Sequence, residues 1–107
     1  MLLFCAAVGL LLACSKSVDF DDNPALILDV SDSGIVSLDT YQGPVKGRLS
    51  GVRWRSDAEY LRRARTLIDF ARRDKVAFAL TRQGEIEIWY QTESGAESLN
   101  QQLRKIP

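Results

Sequence analysis

The chain has 107 residues and a formal net charge of zero, with 14 Lys and Arg against 14 Asp and Glu. It has no histidine, which excludes a His general base, a Ser-His-Asp triad and a His-ligated zinc. Its two cysteines, Cys5 and Cys14, both stand near the amino terminus, so the remainder has no thiol pair and depends on an apolar core.

Leu2 to Ala13 carries no charged residue. Its length suits a signal-peptide h-region and is too short to span a bilayer. It ends in Leu11-Leu12-Ala13-Cys14, which resembles the lipobox of bacterial lipoproteins. The resemblance implies removal of residues 1–13, a diacylglyceryl group on the Cys14 thiol and acylation of the new amino terminus. Two or more acyl chains anchor stably where one binds only marginally. There are two departures from the pattern: no Lys or Arg precedes the apolar run, and Leu12 is bulkier than usual. An Asp after the cysteine would retain a lipoprotein at the inner membrane in the familiar sorting rule, but Ser15 stands there. The expected place is therefore the bacterial cell envelope, at the outer membrane and facing the periplasm.

Residues 14–24 are polar, acidic and closed by Pro24, and read as a lipidated tether ahead of a single domain over 25–107. Ala25 to Val30 is a short apolar run, followed by turn residues Ser31-Asp32-Ser33-Gly34. Ile35 to Tyr41 is β-branched and roughly alternating, which predicts a strand. After a turn at Gln42-Gly43-Pro44, Val45 to Trp54 alternates and shifts phase near Gly51, where a bulge or bend is expected. Ser56-Asp57-Ala58-Glu59 has the form of a capping box. Leu61, Ala64, Leu67, Ile68 and Ala71 then recur at helical spacing, predicting a helix over 56–73. Lys75 to Leu80 and Glu85 to Tyr90 both alternate around Arg82-Gln83-Gly84, which predicts a hairpin. A second capping pattern, Ser98-Leu99-Asn100-Gln101, opens a short final helix with Leu99, Leu103 and Ile106 on its apolar stripe. The expected class is mainly β with helices, in the order β-β-β-α-β-β-α. That order matches the five-stranded, partly open barrel of the OB-fold.

At this point the chain resembles the staphylococcal-nuclease-like (thermonuclease) family of OB-folds, over roughly Val30 to Ile106. Asp32 to Leu38 stands where the family has an Asp-Gly-Asp-Thr turn leading into a strand. Gly47-Arg48-Leu49-Ser50-Gly51-Val52 is similar to its Arg-Leu-x-Gly-Ile strand, and Ala64 to Phe78 to its helix and following strand. Leu99-Asn100-Gln101-Gln102-Leu103 is similar to the "Leu-Asn-x-x-Leu" that starts its terminal helix. The resemblance implies calcium-assisted phosphodiester hydrolysis, with carboxylates on the cation, two arginines on the phosphorus and a glutamate assisting water.

Most of that machinery is not carried over. Arg48 matches the first arginine and Asp32 the first Asp of the turn, but Gly34 and Arg53 stand at the two metal carboxylates. No Glu stands at the general-base position, and Glu85 replaces the second arginine. Ca²⁺ needs several hard oxygen ligands, which Gly34 and Arg53 do not supply. No catalytic residue, metal or cofactor is therefore expected, and the chain reads as a binding or interaction module rather than an enzyme. Its anchor would be membrane lipid on Cys14, and its partner nucleic acid or another envelope component. The candidate ligand-binding residues are Arg48, Arg53, Trp54, Arg55, Trp89 and Tyr90, the basic and aromatic types that OB-folds use for extended polymers. The alternative is a Ca-dependent phosphodiesterase acting on nucleic acid through a displaced site of Asp29, Asp32 and Asp39. The ten basic residues between Lys46 and Lys75, against four acidic ones, point to an anionic partner or to a solvated helix face. The helix face is the favoured account, since five of those arginines fall in the predicted helix.

Overall fold

A computed structural model describes residues 18–82 and 84–107. Cys14, the signal segment and the first part of the tether lie outside the described residues.

The alternating runs become strands because each places every second side chain on the same face. β1 (Ala25–Val30) buries Ala25, Ile27 and Val30, and β2 (Ile35–Thr40) buries Val36 and Leu38. They form a hairpin through Ser31 to Gly34, where the Ser31 hydroxyl accepts from the Ile35 amide at 3.0 Å. β3 (Gly43–Leu49) pairs antiparallel with β2 and then runs beside β5 (Glu85–Thr92) in a short parallel stretch, Arg48 opposite Glu85 and Leu49 opposite Ile86. β4 (Ala77–Arg82) and β5 form the expected antiparallel hairpin.

The strand expected to reach Trp54 instead stops at Leu49. Gly51 has φ of +72°, which turns the chain off the sheet at the position where the sequence pattern changes phase. Residues beyond it run extended but unpaired toward α1 (Ala58–Ala71).

The sheet has six strands rather than the expected five, in the element order βββαβββα. β6 (Gly95–Ser98) folds back antiparallel on β5, with Trp89 opposite Ser98. It escapes a pattern search because Gly-Ala-Glu-Ser offers no apolar alternation. The strand path is β1-β2-β3-β5-β4, with β6 off the path beside β5. This is a mixed open sheet, not a ring of continuous ladders. The two ends of the path touch at one bridge, where Ala25 N donates to Val76 O at 2.9 Å and Val76 N donates to Ala25 O at 2.8 Å.

α1 lays Tyr60, Ala64, Ile68 and Ala71 on the core formed by these strands, and α2 (Leu99–Arg104) adds Leu99 and Leu103. Full burial of such aliphatic side chains contributes about 1.5–3 kcal/mol each, and this replaces the disulfides that the domain lacks. No helix among the described residues is long and apolar enough to cross a membrane.

Candidate functional site

The six candidate residues do not converge. Segment 52–55 is extended, so its side chains alternate between two sides of the backbone. Val52 and Trp54 turn into a small cleft of about 130 Å³ with Arg48, Ser33, Gly34 and Leu49. Arg53 and Arg55 turn the other way, into a cleft of about 290 Å³ against the end of α2. Trp89 stands on β5 in a third, larger cleft of about 710 Å³, whose wall includes Val18 and Phe20 from the tether. That third cleft is lined by two carboxylates, Glu87 and Glu97, and by no basic residue, so it offers no counter-charge to an anion. Tyr90 is a core residue at 4% exposure, its ring edge-on to Phe70 with centroids 5.9 Å apart.

The cleft at Arg48 includes Gly34, one of the two positions where the thermonuclease resemblance expects a metal carboxylate. Trp54 donates its indole N–H to the Asp32 carbonyl at 2.9 Å and packs edge-on to Tyr60 at 5.4 Å between centroids. Its ring lies directly against Gly34, where a Cβ would come within 2.6 Å of the indole. Gly34 also has φ of +86°, a conformation that strains any residue with a side chain. A metal-binding carboxylate at this position would thus need both the turn and the indole to move.

Asp32, the remaining carboxylate of that turn, pairs with Arg65 of α1 at 2.5 Å. Arg53 faces away from the cleft, and no group of three His, Cys, Asp or Glu comes together in a metal-ligating cluster among the described residues. The residues present do not fit a calcium ion. Arg48 is exposed and has no ion-pair partner among the described residues; its sheet neighbour Glu85 is approached by the Ser50 hydroxyl at 3.4 Å.

The arginines of α1 are engaged along the helix surface or with β1. Arg62 and Arg63 hold Glu59 at 2.6 and 2.8 Å, and Arg72 donates to the Leu28 carbonyl at 2.7 Å. Arg73 lies 5.2 Å from the Phe70 ring centroid. These arginines form a solvated and largely paired face, and the cations of the middle segment without an ion pair among the described residues are Lys46, Arg48, Arg53 and Arg73. The acidic tether is also engaged, since Asp21 pairs with Lys75 at 2.5 Å.

Asn100, within the motif Leu99-Asn100-x-x-Leu103, is buried and bonds three backbone groups, so it serves the sheet and no cleft. Compared with protein-family models, with curated proteins and with solved structures, the chain matches none.

Proposed function

We propose that the chain is a membrane-anchored envelope lipoprotein whose domain is a non-catalytic, nuclease-like OB module that binds an anionic partner at Arg48 and Trp54. The strand path β1-β2-β3-β5-β4, with the Ala25–Val76 bridge between its ends, supports closure into a five-stranded barrel carrying β6 as an addition. The observation that carries the binding reading is Trp54 packed on Gly34, where hydrolysis would require a carboxylate. An unpaired guanidinium beside an indole offers a charge for a phosphate and an aromatic face for a base, the chemistry of single-strand binding. The lipid anchor rests on Leu11-Leu12-Ala13-Cys14 alone.

The test uses the full chain in detergent with single-stranded DNA, in Ca²⁺ and in EDTA. Binding without cleavage is expected, weakening steeply with salt and lost in Arg48→Ala. Cleavage that requires Ca²⁺ and disappears in Arg48→Ala would establish the phosphodiesterase instead. Acyl labelling in a bacterial host should be kept in Cys5→Ser and lost in Cys14→Ser; label surviving the second change would overturn the anchor.

A further inference from the structure

The cleft on the opposite side of segment 52–55 carries more unmet hydrogen-bonding capacity than the one at Arg48. Its wall is made by Gly51, Arg53, Arg55, Tyr60 and, from α2 and the chain beyond it, Arg104 and Ile106. Three guanidinium groups therefore line one space of about 290 Å³. Among the described residues Asp57 is the one acidic side chain within ion-pair reach of any of them, 3.4 Å from Arg55 Nε. Arg53 has no hydrogen bond or ion pair there, and Arg104 makes only a long contact to the Ser50 carbonyl, at 3.4 Å. The Arg104 guanidinium reaches over Gly51, where a side chain would push it aside.

Two further buried donors in this wall make no hydrogen bond to the protein. Tyr60 is 2% exposed, and its hydroxyl has no hydrogen bond. Arg55 Nε is buried as well, and its approach to Asp57 lacks hydrogen-bond geometry. Leaving a buried donor unmet is costly, so two in one cleft call for an acceptor. Burial also pushes the Tyr60 phenol above its usual range, which keeps its proton available for donation.

We propose that this cleft binds a phosphate group, free or as the headgroup of an anionic phospholipid, between the guanidinium groups of Arg53, Arg55 and Arg104 and the Tyr60 hydroxyl. The inference goes beyond the proposed function, because it assigns a second site facing away from Arg48. Three guanidinium groups against the Asp57 carboxylate and the Pro107 α-carboxyl group keep the cleft net positive, which favours a phosphate. Its oxygens also offer more acceptors than a carboxylate has, which suits donors arriving from several sides. Arg55 now spans the site, 4.4 Å over the Tyr60 ring and donating to a Pro107 carboxyl oxygen at 2.6 Å. Phosphate binding draws that guanidinium toward the anion and uncovers the phenol.

The test is thermal unfolding of the full chain in detergent at constant ionic strength, titrated with inorganic phosphate or with a soluble short-chain phosphatidylglycerol, and with chloride as control. A saturable rise in melting temperature is expected from at least one of the two phosphate probes and not from chloride. A response to inorganic phosphate assigns a free phosphate, and a response to the lipid alone assigns a headgroup. In an Arg48→Gln background, where the other cleft offers no guanidinium, the rise should persist, and it should vanish when the Arg53→Gln/Arg104→Gln double variant is added. Tyr60→Phe keeps the ring and the core packing, and should weaken the apparent affinity roughly three- to tenfold. No saturable rise from either probe would overturn the proposal, as would a rise that survives the double variant or an unchanged affinity in Tyr60→Phe. Loss of the response in Arg48→Gln would move the anion to the other cleft and overturn it too. DNA binding at Arg48 is read separately, so either site can fail without the other.

Discussion

Asn100 has no solvent exposure, and its side-chain amide meets three backbone groups. Its Nδ2 donates to the Ser50 and Ile86 carbonyls at 2.9 and 3.0 Å, and its Oδ1 accepts from the Ile88 amide at 3.0 Å. It thus completes hydrogen bonding where β3 leaves β5 and no further strand is available. Asn100→Ala orphans the buried Ile88 amide and takes one bond each from the Ser50 and Ile86 carbonyls, which keep the Arg104 guanidinium and the Ser50 amide. A loss of about 1–3 kcal/mol is expected, a sizeable share of the stability of a domain this size, measured by denaturant titration. Glu59 is a contrasting case on the surface. Hydrogen bonds from Arg62 and then Arg63 lower its carboxyl from 4.5 to about 2. A carboxylate lowered in the fold stabilises above its unfolded pKa and loses that contribution as pH falls through the folded one. The gap in melting temperature between wild type and Glu59→Gln should therefore be full above about pH 5 and close as pH falls toward 2. Parallel melting curves across that range would show that the pairs contribute nothing to folding.

At the scale of elements, α1 starts one residue later than its capping pattern suggested. The cap is Asp57, whose carboxylate accepts from the Tyr60 amide at 3.0 Å, and Glu59 turns to Arg62 and Arg63 instead of reaching back. Ser, Asp, Ala and Glu in a row hold two possible caps, and the choice between them depends on where the incoming chain enters. Arg55 is placed beside Asp57 by the cleft it lines, and this favours the aspartate. Asp57→Ala should cost about 1 kcal/mol by thermal unfolding, and Ser56→Ala close to nothing. The reverse order would restore the serine cap. α2 keeps its expected cap, with the Ser98 hydroxyl accepting from the Gln101 amide at 3.2 Å. Its motif also acquires a physical reading. Leu99 and Leu103 fill the core one turn apart, and the asparagine between them serves the sheet.

Across the whole molecule, the feature with the most consequence is the single bridge between Ala25 and Val76. Those two hydrogen bonds join the start of β1 to the residue just before β4, and hence the two ends of the strand path. Both residues are buried, at 2% and 0% exposure, so the bridge is shielded from competing water. Buried hydrogen bonds that tie the two ends of the path open only with the core around them. The amides of Ala25 and Val76 should then exchange hydrogen as slowly as those of Val36 and Ile88 at the centre of the sheet. Exchange many-fold faster would mean that the sheet opens along this seam.

The chain by itself determined the strands with alternating burial, the long helix and the absence of side-chain carboxylates at positions 34 and 53, because each depends on residue type at short spacing. Neither Gly34 nor Arg53 has a side-chain oxygen to offer calcium, wherever it is placed. The tertiary structure alone decided how the candidate residues group. A strand of four polar and small residues, β6, forms only because β5 offers it an edge. Trp54 on Gly34, Arg104 on Gly51 and Asn100 on the β3–β5 junction each join residues from 20 to 53 positions apart. Such contacts follow from how the elements pack, and no local pattern in the sequence specifies them. The same packing sends Arg48 and Trp54 to one cleft and Arg53 and Arg55 to another, since an extended backbone alternates its side chains and the surrounding helices decide what each side meets.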